Sequence, residues 1–275
     1  MRKDKEDLAL LNILQQCEAK EKIPLIDYIT DSGNGRLSLS EKSKNQLVSA
    51  KTSEKFDDAR NQLIIEEIQA FGGNSLVNLI RFGEGVSYDE IVRDVTSKVG
   101  VKVKSTDSCE DMENAIISKI IEKAWDKMSP EERNTMTEFM HIPAKGSATL
   151  AAVLAAAELG GFATFQLAAS VANALARQII GRGLTFGANA ALMEGLSVLV
   201  GPVGWAVMAL WLAADLAGPA YRVTVPCVIQ IAYLRQTIAI KNFKICPQGH
   251  LQKDPNAKFC STCGAPIGAP RLRNA

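Results

Sequence analysis

The sequence predicts an all-α protein: a multi-helix N-terminal domain, then a Gly/Ala-rich apolar helical hairpin, then a small C-terminal ribbon built on cysteines. Three observations carry this reading. Helix formers are plentiful, and aromatics make up only 6% of the 275 residues. Apolar residues recur at three- and four-residue steps through the first 145 positions. Cysteines and a histidine fall into two short knuckles near the end of the chain. The expected divisions are 1–145 for the soluble helical domain, 146–240 for the apolar region and its following segment, and 241–275 for the ribbon.

In order along the chain, residues 5–30 read as helical. Leu8, Leu11, Ile13 and Leu14 form a stripe, and Pro24 opens a second short helix. TDSGNGRLSLSEK (30–42) invites a calcium-loop reading. Asp31, Gly33 and Gly35 at its first, third and fifth positions supply one carboxylate, too few oxygen donors for such a loop, so a Gly-rich turn is expected. Residues 54–82 resume helix, with Phe56, Leu63, Ile64 and Ile68 on one face and Gly72-Gly73 as a stop; Asn74 or Ser75 then caps a new helical turn. Ser87 caps another helix, with Glu90 completing a capping box and Gly100 closing it. Ser108 caps a further one, whose apolar face is Met112, Ile116, Ile117, Ile120, Ala124 and Met128. Ser129-Pro130 starts the last of this series, with acids in the first turn. His141 reads as a cation at a helix end.

The character changes at Ser147. Residues 147–220 hold five charged positions in 74. GRG at 181–183 and Gly201-Pro202 divide the stretch into three apolar helical pieces. Gly183, Gly187, Ala191 and Gly195 fall at four-residue steps, a smooth ridge on which a partner helix could close. Residues 195–214 carry no charge, about 30 Å of helix at 1.5 Å per residue, yet Pro202 interrupts them. Three placements stay open: a membrane hairpin, a hairpin buried in the bundle and releasable, or an ordinary soluble core. Arg177 and Arg182 must avoid the lipid interior in any of them.

Charge is uneven. Residues 1–145 hold 21 Lys/Arg against 26 Asp/Glu, whereas residues 221–275 hold eight against one. A basic end beside an apolar segment points to anionic lipid before nucleic acid. The N-terminus has no apolar signal core, so a cytoplasmic site with reduced thiols is expected. Cys17, Cys109 and Cys227 then read as packing residues.

EIQAFGGNSLVNLIRFGEGVSYDEIVRDV (67–95), LGGFATFQLAASVANALARQIIGRGLTFGANA (159–190), GPVGWA (201–206) and above all DLAGPAYRVTVPCVIQIAYLR (215–235) resemble the YaaW family of bacterial proteins, over about residues 5–240. The family's middle region is similar to a ubiquinol–cytochrome c chaperone-like domain. That resemblance implies a helical fold, a link to assembly of membrane respiratory complexes in other members, and no catalytic residues. It also implies that the cysteine-rich tail is an appended module.

That tail carries Cys246-Pro-Gln-Gly-His250 and Cys260-Ser-Thr-Cys263-Gly264. Three thiolates and one imidazole make a closed tetrahedral Zn2+ site, structural because no position is left for water. It resembles the bacterial zinc ribbon with CPxGH and FCxxCG knuckles. Phe259 is the one aromatic between the ligands, which argues against single-strand nucleic-acid binding. No Ser/His/Asp set, open metal site or phosphate loop is visible, so a non-enzymatic protein is expected. Two functions fit. One is a membrane-associating protein at the cytoplasmic face of the inner membrane that forms homo-oligomers through the small-residue face, in membrane stress or membrane-perturbing defence. The other is a soluble chaperone-like module that holds an apolar client and recruits a partner through its ribbon.

Overall fold

The computed structural model describes residues 2–73, 86–140, 142, 149–158, 162–184, 201–210, 212, 220–241, 244–246, 251–252, 257–261 and 263–267. Eleven helices are seen among them: α1 (Arg2–Gln16), α2 (Ala19–Thr30), α3 (Glu41–Ser53), α4 (Asp58–Gly73), α5 (Tyr88–Val99), α6 (Cys109–Trp125), α7 (Pro130–Phe139), α8 (Leu150–Glu158), α9 (Phe162–Ile180), α10 (Gly201–Leu210) and α11 (Tyr221–Lys241). Two short strands come after them, β1 (Lys244–Ile245) and β2 (Leu251–Gln252). The fold is all-α.

Helix starts are set locally. Ser87, Ser108 and Ser129 each accept a hydrogen bond from the backbone N–H three residues on, and Ser108 and Ser129 complete capping boxes with Asp111 and Glu132. Ser40 caps α3 in the same way, a helix that the sequence does not announce and that starts directly after the Gly-rich turn. In that turn Asp31, Ser32, Gly33 and Gly35 all take positive φ, and Ser32 and Gly35 return N–H bonds to Asp27 and Thr30. Asp31 faces Arg36 at 3.6 Å.

Two expectations at the N-terminal end are corrected. Leu8 is 65% exposed; Leu10, Ile13, Leu14 and Cys17 are the buried set, and Leu8 sits about 200° round the helix from Leu10. Pro24 does not open α2 but is its sixth residue, as Pro226 is of α11. A proline there costs about 3 kcal/mol in an isolated helix. Complete burial of Leu25, Ile26, Tyr28 and Ile29 on one helix, and of Val225, Cys227, Val228 and Ile229 on the other, offsets that cost. Further along, α4 begins at Asp58, not 54; Phe56 precedes it and lies under the Lys22 ammonium, 4.6 Å from the ring centroid. Asn74, Ser75 and His141 lie outside the described residues.

One apolar core runs from Leu10 to Leu234, continuous across the expected division at 145/146. Its axis is α11, which packs on α1, α2, α4, α5, α6 and α9. From Thr164 to Ala176 every residue of α9 is buried, so this piece of the apolar region is a core helix on all faces. Most of its polar groups bond inside: Thr164 donates to the Ala157 carbonyl, Ser170 to the Gln166 carbonyl, the Gln166 amide to the Phe139 carbonyl, and Asn173 Oδ1 accepts from Leu184 N–H at 3.0 Å, while Gln166 Oε1 is left without a partner. GRG ends it as expected, with Gly181 at φ 77°. Among the described residues one helix, α11, is long and apolar enough to cross a membrane, and 78% of that stretch is buried in the bundle.

Two buried charge groups join distant segments. Glu113 of α6, 1% exposed, accepts from Arg235 Nε at 2.7 Å, from Arg235 Nη2 at 3.0 Å, and from the Tyr88 hydroxyl at 2.8 Å. Asp27 of α2, also buried, is paired with Lys51 and with Arg182. Packing leaves little slack between α4 and α5. A Cβ on Gly72 would lie 2.5 Å from Ile91 Cγ1 and 2.8 Å from Val86 Cγ2. Gly72→Val is expected to lose about 2–3 kcal/mol or more in denaturant unfolding, because both neighbours must shift within a closed core. A loss below about 1 kcal/mol would mean that the two helices can separate here at little cost.

Candidate metal centre and exposed apolar helix

The ribbon is built from a strand pair and a tight turn. β1 and β2 pair antiparallel, Lys244 with Gln252 and Ile245 with Leu251. The turn is closed by Cys260 N–H to the Ala265 carbonyl and Gly264 N–H to the Cys260 carbonyl, both 2.8 Å. Gly264 has φ 71°, a left-handed conformation, with open space where a Cβ would be. Its constraint is therefore backbone strain and not crowding.

Cys246, Cys260 and Cys263 come together here, their thiols all within 4.8 Å of one another. Cys246 and Cys263 are 3.7 Å apart, Sγ to Sγ. A disulfide needs about 2.05 Å. A tetrahedron with Zn–S bonds of ~2.3 Å has an S···S edge of ~3.8 Å. The separation therefore matches thiolates around one small cation. Gln252 was not anticipated. Its amide donates to Cys260 Sγ at 3.2 Å, while its oxygen accepts from Ser261 N–H and Oγ–H, both 2.9 Å. That amide holds the second knuckle and supplies the kind of outer hydrogen bond that orients a metal ligand. The signal available in sequence was only a polar residue midway between the knuckles. His250 lies outside the described residues.

Among the described residues the ribbon has a core of its own, Cys246, Cys260 and Ile267, with Ala257 and Ala265 against it. A bound metal would add folding energy to so short a segment. By contrast Cys17, Cys109 and Cys227 are buried in the bundle, and burial pushes the Cys17 thiol up to about 12 and that of Cys227 higher still.

The proposed packing ridge is seen only at its first member. Gly183 lies in the non-helical bend after α9, where a Cβ would meet Asn173 Oδ1 at 2.5 Å; Gly187, Ala191 and Gly195 lie outside the described residues. Two other surfaces stand out. On α10, Val203, Ala206, Val207 and Leu210 face the core, while Trp205 and Met208, and Leu212 just beyond, are 49%, 38% and 57% exposed. Lys127 lies over the Trp205 ring, 4.9 Å from its centroid. Between α6, α8 and α11 is an open cavity of about 720 Å³, with Leu154, Ala157 and Ala239 beside Lys102, Glu110 and Lys119. Gln236 in its wall donates to Asn114 at 3.2 Å.

The ubiquinol–cytochrome C chaperone family model matches residues 60–229, which include α5, α6, α9, α10 and half of the buried residues of α11 and stop short of the ribbon. A UPF0174 protein of Helicobacter pylori strain J99 is 36% identical over 229 residues, covering 82% of this chain and 90% of its own. A second UPF0174 protein of that strain is 34% identical over 64% of this chain and 87% of its own. The UPF0174 protein YaaW of Escherichia coli K12 is 29% identical over 83% of this chain and 94% of its own. No solved structure matches the chain significantly. A family match over more than half the chain, with relatives aligned over nine-tenths of their own length, places this protein in the ubiquinol–cytochrome C chaperone family, beside the UPF0174 proteins.

Proposed function

We propose that the protein is a non-enzymatic, chaperone-like binding module that holds an apolar segment of a client protein and docks through a zinc ribbon. The observation that carries the first half is the family match across α5 to α11, with the open cavity between α6, α8 and α11 as the holding site. Small residues on its floor (Ala115, Ala157, Ala239) let a helix approach closely, and Lys102, Glu110, Lys119 and Glu122 ring it with both signs of charge. This supports the soluble, client-holding reading ahead of the membrane-perturbing one.

The thiol geometry supports the second half. Cys246, Cys260 and Cys263 would hold a structural Zn2+, with His250 as the fourth donor that the CPxGH spacing offers. Bound there, the ion supplies folding energy, not chemistry. Reduced thiols at such a site suit a cytoplasmic location.

The test uses the full-length protein and a fluorescein-labelled Ala/Leu-rich helical peptide. Fluorescence anisotropy should show saturable binding, weakened at least about tenfold by Ser118→Trp, which projects into the cavity from the half-buried face of α6. Absence of binding, or equal binding by the variant, would overturn the assignment of the cavity.

A further inference from the structure

We propose that the outer face of α10 is a membrane-contact surface that lies in the interface of an anionic bilayer. Five described positions of this stretch face solvent: Gly201, Trp205, Met208, Ala209 and Leu212. None carries a charge, and the Trp205 indole is the one side chain among them with a hydrogen-bond donor. A solvent-facing helix of a soluble bundle normally sets polar residues on that side. Here the inner face is apolar as well, through Val203, Ala206, Val207 and Leu210. Trp205, Met208 and Leu212 follow i, i+3, i+7 spacing, so they share one ridge.

The occupant is set by size and charge. Val203, Ala206, Val207 and Leu210 hold the inner side of the helix on the core, so the element offers one face to a leaflet. A second copy of the chain is a poor fit. Three roughly half-exposed side chains offer on the order of 300 Å², well under the ~800 Å² per partner of a stable dimer. Insertion into a fluid interface has no such threshold, because each buried methylene contributes separately. The cation over the Trp205 ring, Lys127, sits where a lipid headgroup would be. An amphipathic Trp ring beside a lysine is the pairing found at headgroup depth, and it favours negative lipids. This surface is separate from the cavity assigned to clients, since none of 201–212 lines that cavity. Failure of one assignment leaves the other standing.

Flotation of the full-length protein with vesicles tests the idea. It should float with vesicles of phosphatidylglycerol and phosphatidylethanolamine in equal parts, and weakly or not at all with phosphatidylcholine. Met208→Glu should cut the bound fraction about tenfold, and Lys127→Glu should remove the preference for anionic vesicles. Emission difference spectra between the wild type and Trp205→Phe supply a second readout that does not depend on a disruptive variant. Trp205 emission should move to the blue on anionic vesicles. No flotation of the wild type, or no Trp205-dependent shift, would overturn the proposal. So would a Met208→Glu variant that floats like the wild type. So too would one whose only change is a fall from dimer to monomer in solution, because the face would then belong to a second copy.

Discussion

Glu113→Ala is expected to be the most destabilising single substitution among the buried charges, by about 3–5 kcal/mol. The carboxylate is 1% exposed and takes three hydrogen bonds, two from Arg235 and one from Tyr88. Its removal strands a guanidinium that stays charged at any workable pH, together with a buried phenol. For a chain of this size the loss corresponds to a fall in Tm of roughly 10 °C or more. Arg235→Met alone should cost a similar amount by stranding the carboxylate. The pair Glu113→Leu with Arg235→Met should recover part of the loss, since two apolar groups replace the buried ion pair and only the Tyr88 hydroxyl is left without its acceptor. Urea unfolding of the wild type, Glu113→Leu, Arg235→Met and the double variant gives the cycle. Additive losses would show that the pair is not energetically coupled.

Cys260→Ser should have the largest effect on the ribbon. The proposed zinc loses one of its four donors, the one that also takes the Gln252 hydrogen bond, and affinity should fall by more than ~100-fold. Wild-type protein should retain one zinc per chain through dialysis, and Co2+ substitution should give the absorption of a tetrahedral thiolate site. The main melting transition should hardly move, because the cores of bundle and ribbon share no residue. Thiol alkylation at pH 8 separates the two cysteine groups. With a chelator present, Cys246, Cys260 and Cys263 should be modified in the native protein. Cys17, at about 12, is ionised in roughly one molecule in 10⁴ at that pH, and it lies buried with Cys109 and Cys227. All three should stay unmodified until the bundle unfolds. The sign agrees with the shift. Burial raises the Cys17 thiol above its ordinary 9.0, so its contribution to stability is complete below pH 9 and is lost as pH rises toward about 12. Prompt modification of Cys17 in native protein would contradict its burial in the bundle.

What could be read from the sequence was whatever is decided within a few residues. The caps at Ser87, Ser108 and Ser129, the break at GRG and the turn at Gly264 all depend on neighbours three or four positions away. Cysteine spacing is equally local, which is why the three thiols converge as expected. The long-range features were out of reach. Glu113 and Arg235 are 122 positions apart, and Asp27 and Arg182 are 155 apart. One sign of the first was present. Glu113 falls on the 113, 117, 120, 124 helical stripe, so a carboxylate stood at a core position without a visible partner. The place of α11 at the centre could not be inferred, since its Pro226 argues against a helix and only packing overrides it. Nor could composition separate a buried apolar helix from a lipid-facing one. In 147–220, α9 proved to be core on every face, while α10 keeps an apolar outer side.

The position of α11 also has a meaning in time. The helix around which six others pack is close to the last part of the bundle to be made. At about 5–20 residues per second, roughly 10–50 s pass before residue 234 exists at all. During that interval the faces of α1, α2, α4, α5, α6 and α9 that α11 will cover have nothing native to close on. The nascent chain thus carries these faces uncovered for most of its synthesis, and their closure comes late. A bundle designed this way depends on its surroundings while it is being born.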